Sequence, residues 1–298
     1  MIRRTLLAAS LMSLAACSQS APSEEAKADS SGPTPNAEPV SLETQLNTIA
    51  AGDHRSEDDK ARDDWRNPAY TLAFFGLAPS MTVVEVWPGN GWYTNILAPY
   101  LQQQDGVLYA ATFDPARSDR TRAAVERYEE RFVGNDFYGD VRLTILGGTD
   151  NKIAPDASAD MVLTFRNVHN WTGGGSAEDY FAQFYTALKP GGVLGVVEHR
   201  AAEEGESAAG YVKQSAVVAL AEGAGFELEG SSEINANPKD TRDHPFGVWT
   251  LPPTRRSAEA RGMEDPDFDR AKYDAIGESD RMTLKFRKPI AADGALLE

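Results

Sequence analysis

The distribution of apolar and polar residues predicts alternating strands and helices from about residue 81 onward. Short apolar runs have the length of strands and end in polar or glycine-containing turns; they lie at residues 81–86, 106–111, 141–146, 159–165 and 193–198. Between them, a charged amphipathic segment at 118–132 and aromatic residues such as Tyr180 and Phe184 have helical spacing. This alternation predicts an α/β fold with a mainly parallel twisted sheet and helices on both faces.

The last third of the chain combines regular elements with one long polar connection. Val217 and Leu220 mark a further helix, a sixth strand is predicted after Gly225, and residues 282–287 alternate like a final strand. Residues 235–281 lie between the last two strands, and connections of this length inside a compact domain are often functional or mobile. We interpret this segment as a candidate lid bearing Arg242 and His244, with a loop tied down by internal ion pairs as the alternative.

The first 40 residues have a composition unlike the rest. Arg3 and Arg4 precede an apolar run that is too short to span a bilayer and that ends at L-A-A-C, with Cys17 the only cysteine. This resembles the bacterial lipobox, which implies a signal peptide at 1–16 and lipidation of Cys17; an ordinary secretory signal is the alternative. Residues 17–40 lack apolar periodicity and predict a disordered tether, which places the folded domain at 41–290 and a tail at 291–298.

Charge and location limit the partners. The net charge of −16 argues against sequence-independent nucleic-acid binding, which needs clustered basic residues. Such a chain would not adhere to an anionic membrane by charge, so only the lipid anchor would hold it there. Ser18 after Cys17 resembles the sorting pattern of Gram-negative lipoproteins, which implies the periplasmic face of the outer membrane. The sequence indicates no oligomeric state.

Residues 83–94, V-V-E-V-W-P-G-N-G-W-Y-T, form the most informative stretch of the chain. A strand carrying Glu85 turns through Pro88, Gly89 and Gly91 into a predicted helix. Because glycine has no Cβ, such a turn brings bare backbone close to a ligand. A dinucleotide-binding fold would have a third small residue three positions after Gly91, where this chain has Thr94. The stretch therefore argues against a nicotinamide-dependent oxidoreductase.

The glycine turn, L-K-P-G-G before strand five and the late final strand resemble the class I S-adenosylmethionine (SAM) methyltransferases. The segments W-R-N-P (65–68), F-F-G-L-A-P (74–79), R-N-V-H-N-W (166–171) and G-E-S-D-R (277–281) are similar to a bacterial family of predicted methyltransferases. The resemblance implies a Rossmann-like fold, SAM as the cofactor, and methyl transfer to an unidentified small-molecule substrate or envelope component. A non-catalytic ligand-binding protein of the same fold, anchored in the envelope, is the alternative.

The resemblance also implies roles for individual residues. It assigns the cofactor to Glu85, Pro88, Gly89, Gly91, Trp92, Tyr93, Asp114, Asp150 and Arg166. In this assignment Asp114 accepts hydrogen bonds from the ribose hydroxyls and Asp150 faces the adenine amine, with helix capping as the alternative role for both. Trp87 departs from the family, which often has glycine there; it either reshapes the pocket or packs under the turn.

Candidate catalytic residues follow strands four and five, because ligands of open α/β sheets lie beyond the carboxyl ends of the strands. Asn167 and His169 follow strand four and His199 follows strand five. Either imidazole titrates near neutrality and suits a general base. No metal site is predicted, because H-x-x-x-H and H-E-x-x-H spacings are missing from the sequence and Cys17 is its only thiol. The sequence also has no G-x-S-x-G motif, which argues against an α/β-hydrolase.

Overall fold

The computed structural model describes residues 40–148 and 150–290. The predicted signal peptide, Cys17, residues 17–39 of the predicted tether and the tail at 291–298 lie outside the described residues. Within the described part, no helix has the length and apolar character needed to cross a bilayer.

Seven strands form one sheet in the order β3-β2-β1-β4-β5-β7-β6. They are β1 (Thr82–Val86), β2 (Val107–Thr112), β3 (Asp140–Ile145), β4 (Ala159–Phe165), β5 (Leu188–His199), β6 (Glu227–Ser232) and β7 (Arg281–Arg287). Strands β1 to β5 pair in parallel, and β7 is antiparallel to both β5 and β6. The predicted mainly parallel sheet with a late antiparallel strand is confirmed.

Ten helices connect or precede these strands in the described part of the chain. They are α1 (Leu42–Ala50), α2 (Glu57–Lys60), α3 (Asp63–Arg66), α4 (Pro68–Phe75), α5 (Thr94–Leu101), α6 (Asp119–Phe132), α7 (Val168–Gly174), α8 (Ala177–Ala187), α9 (Gln214–Gly223) and α10 (Arg270–Asp274). Several begin at a serine whose hydroxyl accepts a backbone N–H of the first turn, as Ser118 does for α6.

The helices cover both faces of the sheet. Alternating residues of a strand point to opposite faces, so Val83 and Val84 of β1 belong to two different buried clusters. Helices α1, α4, α5 and α6 contribute side chains such as Phe75 to the first cluster, and α7, α8 and α9 contribute side chains such as Phe181 to the second. Because both faces are covered, ligands have access at the ends of the strands.

The structure differs from the sequence prediction at several boundaries. Strand β5 begins at Leu188 and so includes the predicted turn at 189–192, and α5 keeps Pro99 inside it. The charged run at 54–60 has the composition of a solvated surface, but only Glu57–Lys60 is helical there and Arg55 is buried. Arg55 is drawn inward because its guanidinium bonds Asp63 at 2.7 Å and lies over the ring of Trp92.

Candidate functional site

A cavity of about 600 Å³ opens at the carboxyl ends of β1, β4 and β5. Its lining includes nine of the twelve residues that the sequence analysis assigns to the cofactor or to catalysis, namely Glu85, Pro88, Gly89, Trp92, Tyr93, Arg166, Asn167, His169 and His199. Gly91, Asp114 and Asp150 do not line it. The sequence segments after three separate strands therefore meet at one place, as expected for an open α/β sheet.

The two glycines of the turn after β1 have different roles. Both have positive φ, 61° at Gly89 and 82° at Gly91. A Cβ added to Gly89 would meet nothing within 4 Å, and this residue lines the cavity. A Cβ at Gly91 would lie 2.4 Å from ring carbons of Phe132 in α6. Gly89 thus leaves its backbone open to a ligand, whereas Gly91 allows the turn to pack on α6.

Glu85 lies at the floor of the cavity near the end of β1. The carboxyl group is buried and accepts one side-chain hydrogen bond, from the Thr94 hydroxyl at 2.6 Å. Burial raises the pKa of Glu85 to about 7, and the hydrogen bond from Thr94 only partly opposes this. A cationic group bound beside Glu85 would favour its ionised form.

Two residues after β4 link the cavity walls. The Asn167 side-chain amide donates to the Val86 carbonyl at 3.0 Å, which holds the end of β4 against the turn after β1. Arg166 has a positive φ of 61°, and its guanidinium has no hydrogen-bond partner among the residues that the structure describes. Burial, together with repulsion from Arg281, lowers the pKa of Arg166 to about 10.

His169, in the first turn of α7, is held by Glu198 of β5. Its Nδ1 lies 2.9 Å from Glu198 Oε1, and its backbone N–H donates to Oε2 at 3.3 Å. Glu198 is fully buried and also accepts the backbone N–H of His199 at 2.7 Å. An ionised carboxylate only accepts, so the proton of neutral His169 is on Nδ1 and the lone pair is on Nε2. This arrangement orients His169 as a general base.

His199 lies beside His169, with ring centroids 5.3 Å apart. Its Nδ1 is 2.5 Å from the Ser279 hydroxyl. Burial and the neighbouring Arg281 and Arg166 lower the pKa of His199 well below its usual value, so the imidazole is neutral at pH 7. His199 is thus held to Ser279 in a region of positive potential.

His169, Glu198 and His199 form the one group among the described residues whose ligand atoms converge as in a metal site, within 4.8 Å of one another. The sequence does not predict this group, because its residues come from α7 and β5 and do not have a spacing typical of metal sites. The oxygens of Glu198 already accept three N–H groups. The positive field that lowers the pKa of His199 also disfavours a divalent cation, so the contacts fit a hydrogen-bonded dyad better.

An arginine cluster forms one wall of the cavity, and sequence reasoning missed it. Glu278 accepts Arg62 Nε at 2.6 Å and Arg66 Nε at 3.2 Å, and it also pairs with Arg281. These three arginines also line the cavity. The only sequence signal was the charge within W-R-N-P and G-E-S-D-R.

A second cavity of about 290 Å³ adjoins the first. Asp114 lines it and also caps the short helix Pro115–Arg117, because its carboxylate accepts the Ala116 N–H at 2.8 Å. Helix capping and a position in the cavity wall are therefore compatible for this residue. Aromatic rings, including Tyr180, form its other side. Asp150 is exposed and lines neither cavity, although its neighbours Gly148 and Asn151 line the second cavity together with Asp114.

Trp87 and Phe113 line both cavities, and their rings stack with centroids 4.2 Å apart. Trp87 has a φ of 45°, a backbone conformation that favours glycine. Its ring also packs edge-on against Trp171 and Tyr180. Trp87 therefore packs under the turn and also shapes both pockets. The two alternatives considered from the sequence do not exclude each other.

Part of the long connection covers the main cavity. Val248, Trp249 and Thr254 line it, and the Trp249 ring lies 6.0 Å from His169. Arg242 and His244, which we considered as lid residues, are not in the lining. Arg242 bonds Asp280 at 2.5 Å, and His244 Nε2 is 2.8 Å from Asp240. Internal ion pairs therefore hold these two residues in place.

Comparison with solved structures identifies the fold. A chain in the complex of the Trm112 methyltransferase activator from Haloferax volcanii is 15% identical, with a TM-score of 0.50 over 85% of this chain and 99% of that chain. The [4+2]-cyclase SpnF is 16% identical, with a TM-score of 0.50 over 83% of this chain and 93% of its own. The chain has the Rossmann-like fold of class I methyltransferases.

A SAM-dependent methyltransferase from Aquifex aeolicus is 19% identical, with a TM-score of 0.44 over 65% of this chain and 93% of its own. No family model matches the sequence, and no curated protein is similar to it at the level of sequence. At these identities the similarity shows the fold alone and not the reaction.

Proposed function

We propose that the protein is a SAM-dependent methyltransferase acting on a small molecule. The observation that carries the proposal is the pair of adjoining cavities at the carboxyl ends of the parallel strands. One contains the glycine turn and a candidate base, and the other contains the carboxylate of Asp114 among aromatic rings. The neighbouring structures share this fold, in which ligands lie at that edge.

The residues present suit the parts of the cofactor. Asp114 would accept the ribose hydroxyls, and the rings of Phe113 and Tyr180 would flank the adenine. In the main cavity, Glu85 suits the ammonium group of the methionine part. When bound, SAM supplies a methyl group already activated by the sulfonium.

The chain itself then has two tasks, alignment and proton transfer. His169 Nε2 would take the proton of an O or N nucleophile, while Glu198 holds the ring through Nδ1. Trp249 and the other residues of the long connection over the cavity would exclude water from the site. The hydrogen bond from Asn167 to Val86 would hold the segment that carries His169 at a fixed position relative to the glycine turn.

Calorimetric titration of the full chain in detergent with SAM and S-adenosylhomocysteine tests the proposal. We expect binding of both, and loss of binding in Gly89→Leu, because the added side chain would enter the cavity. Gly134→Leu is the matched control: Gly134 also has positive φ and open space around a Cβ, and it lies outside the cavity. A folded protein that releases no heat with either ligand would rule out the methyltransferase.

A ligand-binding protein without turnover is the second candidate, and Trp87 favours it. The Trp87–Phe113 stack stands between the two cavities, where a bound SAM molecule would have to pass. Replacement of Trp87 by glycine discriminates the two functions. If wild type fails to bind SAM and Trp87→Gly binds it, the tryptophan has closed the cofactor site of a former enzyme; if wild type binds SAM, the tryptophan does not close that site.

We also propose that the protein is lipid-anchored in the cell envelope of a Gram-negative bacterium, and that its substrate is a small molecule or envelope component met there. The lipobox-like L-A-A-C sequence and its Cys17 support this location. The net charge of −16 gives no support to attachment by charge alone, which leaves the lipid as the anchor.

A further inference from the structure

We propose that the methyl acceptor is a small anion whose carboxylate or phosphate group is bound in the main cavity by Arg62, Arg166 and Arg281. This inference rests on the proposed function, because it names the class of methyl acceptor for that enzyme. The anion site itself is a property of the chain that binding experiments detect without SAM.

Arg166 is the first reason. Its guanidinium faces the cavity and has no hydrogen-bond partner among residues 40–148 and 150–290. Burial and repulsion from Arg281 lower the pKa of Arg166, because a partly buried charge without a partner among the described residues costs free energy. A guanidinium presents paired N–H donors that match the two oxygens of a carboxylate or phosphate. A bound anion would therefore supply the partner that the chain does not.

The Glu278 cluster is the second reason. One carboxylate serves three arginines that all line the cavity, Arg62, Arg66 and Arg281. Arg66 and Arg281 have only 3% and 2% of their side chains exposed. Each of the three has a buried nitrogen without a hydrogen-bond partner among the described residues, Nη2 in Arg62 and Arg66 and Nε in Arg281. The donors thus exceed the acceptors that this part of the chain offers.

The charge of the side chains that line the cavity also favours an anionic ligand. Five arginines line it but only two acidic residues, Asp59 and Glu85. Burial raises the pKa of Glu85 to about 7, so this carboxyl is only partly ionised at neutral pH. SAM carries a sulfonium, an ammonium and one carboxylate, so it adds net positive charge. An anionic acceptor would balance the charges of both the wall and the cofactor.

The position of the arginines fits a substrate that reacts at the histidines. Arg281 and Arg166 are close enough to His199 to lower its pKa, and His199 lies beside His169. An anionic group bound by these arginines would therefore direct the rest of a small molecule toward His169 Nε2. Binding energy at the anion would position the nucleophile without taking part in the methyl transfer.

Fluorescence titration of the full chain in detergent without SAM tests the proposal. Trp87, Trp92 and Trp249 line the cavity and serve as reporters. The probes are inorganic phosphate, citrate and neutral glycerol, at ionic strength held constant with sodium chloride. We expect saturable binding of phosphate, citrate or both, and no saturable response to glycerol; the two anions distinguish phosphate from carboxylate recognition.

Arg166→Gln should weaken anion binding at least about tenfold, the loss expected for a charge-assisted hydrogen bond. This variant removes no hydrogen bond of the described chain, so it should remain folded. Arg62→Gln is a second variant that leaves the Glu278 bonds to Arg66 and Arg281 in place. Arg122→Gln is the charge-matched control, because Arg122 is exposed on α6 and outside the cavity.

Unchanged anion affinity in both cavity variants would overturn the proposal, as would a lack of saturable anion binding to a folded wild type. An equal loss in Arg122→Gln would also overturn it, since the effect would then be one of net charge. Calorimetry with SAM on the same samples separates the two hypotheses. Anion binding without SAM binding would refute the methyltransferase and keep the anion site, and the reverse result would refute the anion site alone.

Discussion

Replacing Glu85 by glutamine tests whether burial of this carboxyl group at the floor of the cavity lowers the stability of the folded protein. The pKa of Glu85 is raised from 4.5 to about 7 because the group is buried with only Thr94 to donate a side-chain hydrogen bond. The folded protein therefore holds this proton more tightly than the unfolded chain. The resulting penalty is small near pH 4.5 and below, grows as the pH rises toward 7, and is complete above pH 7.

The magnitude follows from the two pKa values. One pKa unit corresponds to about 1.4 kcal/mol, so a rise from 4.5 to about 7 costs about 3 kcal/mol at pH 8. At pH 5 most of this penalty is missing. Relative to wild type, Glu85→Gln should therefore gain about 2–3 kcal/mol in free energy of unfolding between pH 5 and pH 8. Any constant cost of the new amide cancels in this difference.

Urea unfolding of both full-length proteins at pH 5 and pH 8 measures the effect. The matched control is Glu126→Gln, an exposed glutamate of α6, which should show no such gain. Identical pH dependence of wild type and Glu85→Gln would refute the reasoning and mean that the carboxyl is solvated or compensated. A cationic ligand beside Glu85 should release a proton on binding, which calorimetry in two buffers of different ionisation enthalpy detects.

Four further predictions concern single substitutions. Gly91→Ala should lower the free energy of unfolding by about 1–3 kcal/mol, because its Cβ would clash with Phe132 and φ is positive; unchanged thermal unfolding would contradict the packing. His169→Gln should slow methyl transfer about 10²–10⁴-fold while calorimetry shows SAM still bound, and full activity would exclude this base. Arg166→Gln should raise the melting temperature of the unliganded protein, because it removes a partly buried charge that has no partner among the described residues; a lower value would mean the charge is paired. Cys17→Ser should release the protein from the membrane fraction, and continued retention would argue against lipidation.

The sheet was predictable because its signals are local. Strand β4 begins and ends where the apolar run at 159–165 does, and β7 follows the alternation at 282–287 closely. The turn between β1 and α5 was predictable because Gly89 and Gly91 adopt conformations that other residues rarely take. Local periodicity and the positions of the glycines therefore predict at which edge of the sheet a ligand would lie.

The chemistry of the cavity walls was only partly predictable. Arg66 ends the short helix α3 and Arg62 directly precedes it, whereas Glu278 follows more than 200 residues later, so their contacts have no local pattern. Charged residues in such segments usually face solvent, so the sequence does not predict that they line a cavity. Asp150 follows β3 as expected for an adenine contact, but its neighbours Gly148 and Asn151 line the second cavity and Asp150 itself does not.

The position of β7 also governs when the site can exist. In the described sheet β6 pairs only with β7, and β7 lies between β5 and β6. Arg281, which completes the arginine wall, is the first residue of β7. A chain that has emerged only to residue 280 would have the glycine turn and both histidines but an unpaired edge on β5 and no complete cavity. The last strand therefore completes the sheet and the ligand site in the same step, and a truncated chain would expose the β5 edge to aggregation.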